Sequence, residues 1–318
     1  MDISHVPVKT IVSVKSFLVT FFLVNLLCFV SHNFSNITVD ASGDPEEKGF
    51  IYEEDILEIP DEDVKSEAVR KVVKKEIKVH EEMSPSTLDL ALGYIKQGKK
   101  YEARNMLSDL YFTDAFYTKR EEIKKQLDIL NEELVFSQVP DPDSFLYTVK
   151  PGDSLVKIAA EFNTPHKLIM RINHKGRTLI RVGERLKLLK GEISLLVDKS
   201  DFTLTVLLNG HFIKQFPVGI GKYDKTPEEV FYVKDKLMNP VWYSPEGVFP
   251  FGHPKNLLGT RWIGFVEKEG LYGYGIHGTA EPDSIGKAMS NGCIRLRNED
   301  VEELFDFVEP KTKVVIQK

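Results

Sequence analysis

ISLLVDKSDFTLTVLLNGHFIKQFPVGIG, residues 193–221, decides the fold. Three short apolar blocks stand out, at 193–197, 202–208 and 211–218, rich in β-branched and aromatic side chains. Such residues suit a pleated surface with one face buried. Asp198 to Ser200 separates the first two blocks, and Asn209-Gly210 the last two. Asn-Gly supplies the left-handed positions that a tight hairpin requires. A three-stranded meander is the expectation. KVVIQK at the C-terminus reads as a closing strand, and NEDVEELFDFV, 298–308, as one short amphipathic helix capped by Asn298. Residues 191–318 thus make a mainly-β domain with one or two short helices.

Upstream the texture changes. YTVKPGDSLVKIAAEFNTPHKLIMRINHKGRTLIRVGERLKL, 147–188, alternates differently. Tyr147 to Val149 is a short strand, Pro151-Gly152 a turn, and Asp153 caps a helix that buries Ile158 and Ala159. Thr164 caps a second helix with Leu168 and Ile169 inward, and a strand returns after Val182-Gly183. That is a βααβ module, and 146–190 bounds it. His166 and His174 read as exposed loop residues. SQVPDPDSF, 137–145, is a Pro/Asp linker. Residues 84–136 have helical spacing, starting at Ser84-Pro85 and pausing at Gly98, with a last helix near 116–135. Two readings stay open for this segment: a helical spacer, or a partner-binding repeat.

Lys9 and Lys15 precede an apolar run, Phe17 to Val30, which ends in polar residues. This is the form of an export signal, and the run is short for a span of roughly 20 residues. Residues 1–31 are therefore a signal peptide or an uncleaved membrane anchor. Residues 32–83 are acid-rich and read as a solvated linker, helical near Val64 to Ile77.

The chain has 318 residues, 42% of them hydrophobic, and a net charge of −6. Lys and Arg are spread along it, so a nucleic-acid partner is not expected. The two cysteines are Cys28, inside the apolar run, and Cys293. A disulfide between the two is not expected, and no zinc cluster can be built from them.

Cys293 lies in IHGTAEPDSIGKAMSNGCIRL, 276–296, sixteen positions after His277. A thiol nucleophile needs a base and donors for the oxyanion. His277 is the candidate base, and the Gly278 carbonyl can hold its tautomer. Gly292 permits a sharp turn, which would aim the Gly292 and Cys293 amides at an oxyanion. Ser290 and Asn291 complete that turn. Arg295 projects to the Cys293 side, where it could pair with a substrate carboxylate or depress the thiol pKa. From spacing alone, a buried small-hydrophobe role for Cys293 stays equally open.

Three resemblances add to this. YTVKPGDSL…IAAEF…IN…VGERLKL resembles the LysM domain over its whole length. That resemblance implies binding of N-acetylglucosamine-containing glycans, as in peptidoglycan. Tyr94, Gly98 and Ala103 resemble the core of one tetratricopeptide unit. GIHGT…IGKAMSNGCIRL resembles the signature of the L,D-transpeptidase catalytic domain, as do VGIGKYDKTPEEVFYV, Pro-Val-Trp-Tyr at 240–243 and NLLGTRWIGF at 256–265. The resemblance implies Cys293 as nucleophile, His277 as base and Gly278 as its orienter. It implies no metal and no other cofactor. Two departures from the family pattern matter: Asn291 stands where the family has His, and Glu229 where it has Gly. Asn291 cannot be a base, so the proton path rests on His277. Trp242, Tyr243 and Tyr274 are candidates for the cleft, with core packing preferred for Trp242.

The expected protein is multidomain: an α-helical, tetratricopeptide-like segment, a βααβ LysM domain and a mainly-β L,D-transpeptidase domain. The expected activity is cysteine acyl transfer on a peptidoglycan tetrapeptide, with release of D-alanine and 3→3 cross-linking, in the cell envelope. The alternatives are a carboxypeptidase or protein-anchoring variant, and a non-catalytic peptidoglycan scaffold. Expected partners are peptidoglycan, the membrane if residues 1–31 are uncleaved, and a protein for the helical segment.

Overall fold

In the computed structural model, residues 69, 71, 72 and 85–318 are described, and all fall in one compact unit, Glu58–Lys318. The signal or anchor segment, 1–31, lies outside them, as does nearly all of the acidic stretch. Among the described residues no helix is long and apolar enough to cross a membrane.

The meander of the opening stretch is present. Strands β3 (Ile193–Asp198), β4 (Thr203–Leu208) and β5 (His211–Pro217) pair antiparallel in sequence order. Asn209 and Gly210 both take positive φ, 53° and 83°, as a two-residue hairpin turn needs. These strands form one side of an eight-stranded sheet. The other members are β7 (Glu229–Met238), β10 (Arg261–Phe265), β11 (Gly275–His277), β13 (Ile294–Arg295) and β14 (Lys313–Gln317). Their order across the sheet is β13-β11-β10-β7-β14-β3-β4-β5.

The C-terminal strand does not close an edge. β14 inserts between β3, to which it runs parallel, and β7, to which it runs antiparallel. Val314 and Ile316 thereby enter the core with Leu195, Val197, Phe231 and Val233. Helix α6 (Asn298–Phe307) covers this core with Val301, Leu304 and Phe307. Asn298 is not its cap. The cap position is Arg297, and Asn298 Oδ1 instead accepts from the Thr260 amide at 3.1 Å.

The LysM-like module pairs β1 (Ser144–Thr148) antiparallel with β2 (Arg185–Leu189), around α4 (Leu155–Glu161) and α5 (His166–Ile172). Both expected caps are displaced by one residue. Ser154 caps α4 by accepting from the Lys157 amide, while the Asp153 carboxylate takes the Tyr147 hydroxyl and the Lys150 amide. Pro165, not Thr164, precedes α5, which begins at a half-buried His166 rather than in a loop.

The modules are fused. Leu168, Ile172 and Leu189 share one apolar cluster with the large sheet, and Phe136 meets Phe307 edge-on at 5.9 Å. Arg171 on α5 pairs with Glu303 and Asp306 on α6. The Pro/Asp stretch 137–145 is no loose linker. Asp143 pairs with fully buried Arg104 at 2.5 Å, and Asp141 with fully buried Lys187 at 3.2 Å. Breaking one partner of such a pair strands a charge in the interior, at a cost of roughly 3–5 kcal/mol.

Helices α1 (Pro85–Lys96), α2 (Lys100–Tyr111) and α3 (Arg120–Leu134) close Leu88, Leu107, Ile123 and Leu127 around Phe212 of β5. The Phe212 amide donates to Ser108 Oγ at 2.8 Å, and its carbonyl accepts from Asn131 at 3.0 Å. Strand β5 would otherwise be a bare sheet edge, the place where strands invite unwanted pairing. Val69 is helical, as expected near 64–77, but it is buried against Leu196, Leu207 and Val315 and not solvated.

Candidate active site

The last three strands of one sheet end bring the chemistry together. β11 and β13 run parallel and place His277 opposite Arg295. β10 places Trp262 opposite His277 from the other side, and the two rings stack with centroids 6.0 Å apart. His277 is 4% exposed. Its Nδ1 lies 2.5 Å from the Gly278 carbonyl oxygen. A carbonyl only accepts, so Nδ1 carries the proton and Nε2 is the basic nitrogen. Burial pulls the imidazole pKa down from 6.5 to about 4, with the Arg295 charge assisting and the Gly278 bond opposing. The ring is therefore neutral near pH 7. A Cβ at position 278 would stand 2.3 Å from Asn298 Oδ1 and 3.2 Å from the Thr260 amide nitrogen, so glycine lets these groups approach.

Cys293 ends a turn between β12 (Ala288–Ser290) and β13. Buried Ser290 builds the turn: its Oγ donates to the Cys293 carbonyl at 2.6 Å and accepts from the Gly292 amide at 3.1 Å. Gly292 has φ of 133°, and a Cβ on it would meet the Tyr274 ring at 2.8 Å. Both facts require glycine. From the other side Thr226, 1% exposed, donates its hydroxyl to the Gly292 carbonyl at 2.8 Å and accepts from the Gly221 amide at 2.8 Å. The Tyr274 hydroxyl donates to the Lys225 carbonyl at 3.2 Å. The turn is thus pinned by side chains from three separate segments.

The thiol is partly exposed and reaches the Gly273 carbonyl at 3.6 Å. Burial pushes its pKa up to about 11, against the Gly275 amide and the Arg295 charge, which lower it. The resting pair is a neutral thiol beside a neutral imidazole.

Cys293, His277, Ser290, Asn291 and Arg295 all line one cleft of about 380 Å³. Its walls are Trp242, Tyr243, Trp262, Leu237 and Leu258. An apolar wall strengthens charge interactions formed inside during a reaction. Asn291 is exposed on the rim.

Five expectations change here. The Gly292 amide is committed to Ser290 Oγ, so it is not a free oxyanion donor. Arg295 is 8% exposed and pairs with Glu281 at 3.0 Å, so one arm of its guanidinium is occupied by the chain itself. Trp242 lines the cleft and does not belong to the core, whereas Tyr274 backs the nucleophile turn from outside it. Glu229 opens β7 and pairs with Lys268 at 2.9 Å, so its turn becomes strand. Thr226 and Trp262 were not singled out by the sequence. The signal for Thr226 was its place in the Thr-Pro turn just before a strand. Among the described residues no group of three His, Cys, Asp or Glu gathers to hold a metal ion.

A mainly-β domain with a Cys/His cleft behind a βααβ module defines a class, and comparison with known proteins gives the family. The family model for the L,D-transpeptidase catalytic domain (YkuD) matches residues 192–316, and that for the LysM domain matches 147–188. The chain is 33% identical over 180 residues to Bacillus subtilis YkuD, named there a candidate L,D-transpeptidase. That match covers 54% of this chain and 98% of the relative. It is 42% identical over 131 residues to B. subtilis YqjB, likewise so named, covering 40% of this chain and 73% of the relative. The chain belongs to the L,D-transpeptidase (YkuD) family, with a LysM domain ahead of the catalytic domain. The two domains together imply peptidoglycan binding.

Proposed function

We propose that this protein is an exported L,D-transpeptidase that uses Cys293 as acyl carrier in cell-wall assembly. The observation that carries the reading is the shared cleft, in which His277 has Nδ1 committed to Gly278 and Nε2 left basic. In the first step Cys293 passes its proton to His277 Nε2. The sulfur attacks the carbonyl that joins the third residue of a peptidoglycan tetrapeptide, a diamino acid, to its terminal D-alanine. The C–N bond breaks, the imidazolium returns the proton to the leaving amine, and a thioester remains on Cys293. The side-chain amine of a diamino acid on a second stem then attacks the thioester. His277 takes the amine's proton and the thiol is restored. The product is a 3→3 cross-link.

With the Gly292 amide occupied, the Cys293 amide is the backbone donor proposed for the oxyanion. Asn291 on the rim is a hydrogen-bond donor to substrate, not a base. Export and envelope location follow from the apolar run at 17–30, and the LysM domain is proposed to hold the enzyme on glycan strands. The helical segment is proposed as cover for the β5 edge, since its apolar residues close on Phe212.

Muropeptide analysis tests the reading. A tetrapeptide-rich sacculus incubated with the protein should yield 3→3 dimers and free D-alanine. Tripeptides with D-alanine would mean water as acceptor, the carboxypeptidase variant. An unchanged profile would favour the non-catalytic scaffold suggested by Asn291.

A further inference from the structure

Residues 147–188 carry nine Lys and Arg against three Asp and Glu, in a chain whose net charge is −6. The basic residues are therefore concentrated, not spread, and the LysM domain is a cationic block in an acidic protein. Three of its cations are neutralised internally: Lys175 by Glu184, Arg171 by Glu303 and Asp306, and Lys187 by Asp141. Arg177 and Arg181 are not. Both are exposed, and neither has a carboxylate partner among the described residues.

These two guanidiniums line one groove of about 580 Å³ on the loop between α5 and β2, with His174, Leu179 and Val182 beside them. Leu179 is 55% exposed and Val182 66%. Glu184 also borders the groove, but its carboxylate is held by Lys175 Nζ at 2.5 Å and by the Arg181 amide at 2.9 Å. The groove thus offers two forked donors, with the Arg181 charge also acting on the Glu184 carboxylate, beside exposed Leu179 and Val182. Guanidinium forks fit phosphate oxygens in bidentate fashion, better than an ammonium does. The exposed Leu and Val suit the C–H faces of a sugar or polyol.

We infer that this groove binds a phosphodiester-bearing carbohydrate or polyol polymer of the cell wall, through Arg177 and Arg181. The polymer is a second ligand, distinct in chemistry from neutral N-acetylglucosamine chains. The inference concerns binding alone, so it stands apart from the acyl-transfer reading. Attraction to a linear polyanion would concentrate the enzyme at the wall and weaken with salt.

The test uses the full chain and three immobilised probes: poly(glycerol phosphate), polygalacturonate as a carboxylate polymer, and an N-acetylglucosamine oligomer. The protein should bind poly(glycerol phosphate) most tightly at low salt. The Arg177→Ala/Arg181→Ala variant should lose about tenfold in that affinity, with unchanged binding to the neutral oligomer and an unchanged thermal midpoint. The Arg177→Lys/Arg181→Lys variant should recover part of the loss. Equal binding by the alanine variant, or retention on the neutral oligomer alone, overturns the proposal. Equal affinity for polygalacturonate overturns the phosphodiester preference. Modification of Cys293 by a β-lactam, followed in the same samples, reports the catalytic reading separately.

Discussion

The cleft at Cys293 and the groove at Arg177 are built in opposite ways. The cleft holds little charge: a thiol with its pKa pushed up to about 11, an imidazole pulled down to about 4, and an arginine paired with Glu281. The groove keeps charge, with two exposed guanidiniums that pair with no carboxylate among the described residues. A site that is neutral at rest places its electrostatics in the transition state, where they raise rate. A site that is charged at rest acts on encounter and hold. The first should respond to pH and side-chain geometry, and the second to salt.

The largest effect that would break this contrast lies in the cleft. His277→Ala should lower the rate of Cys293 acylation by about a thousandfold, within the range of general-base removal. A loss of only a few-fold, measured by mass spectrometry over time, would place the base elsewhere. Next comes the support of the turn. Thr226→Val keeps the shape but removes the hydroxyl that joins the Gly292 carbonyl to the Gly221 amide. It should slow acylation about tenfold, with one buried hydrogen-bonded group lost, and Thr226→Ser should restore most of it. A wild-type rate for Thr226→Val would mean that Ser290 and Tyr274 hold the turn unaided.

The sequence reached the fold where the determinants are local. Alternation between Ile193 and Val218, the Asn209-Gly210 turn and the amphipathic run after Asn298 were all readable, and all three elements are present. It did not reach β14's place between β3 and β7, because alternation marks a strand and says nothing of its neighbours. Asp153, Thr164 and Asn298 were misread as caps for one reason. Each has a capping side chain near a helix start, but each is engaged otherwise: Asp153 accepts from Tyr147, Thr164 donates to the Phe162 carbonyl two residues back, and Asn298 accepts from Thr260. Within the site, glycine marked the close approach at 278 and 292, but Cys293 and His277 were picked out by the family resemblance, since spacing alone left a buried role for Cys293 open. The occupation of the Gly292 amide by Ser290 was not legible, since it depends on a rotamer. The basic LysM domain escaped a count taken over the whole chain, where acidic flanks hide it.

That fusion of modules alters how the two sites can be separated. Leu168, Ile172 and Leu189 lie in the catalytic core, so deleting 146–190 would unfold the enzyme along with its binding groove. Point changes at Arg177 and Arg181 are the cleaner cut.

A smaller effect follows from linkage. His277 has its folded pKa pulled down to about 4, against 6.5 outside the fold. Between these values the unfolded chain binds the extra proton, so this contribution to stability is complete above pH 6.5 and is lost as pH falls towards 4. The loss is on the order of 3 kcal/mol. The stability of the wild type should therefore fall more steeply over that window than that of His277→Asn, as followed by urea unfolding. Parallel curves would contradict a buried neutral imidazole. The smallest effect is that of Asn291→Ala, which should slow acylation by about threefold, less than one exposed hydrogen bond at full strength. A loss as large as that of His277→Ala would put Asn291 on the proton path.

The central claim is that Cys293 carries the acyl group with His277 as its base. Intact mass and peptide mapping after exposure to a carbapenem test it most directly. One equivalent of drug mass should appear on the Cys293 peptide of the wild type, and none on Cys293→Ala. No adduct on folded wild-type protein, or an adduct that survives in Cys293→Ala, would contradict it.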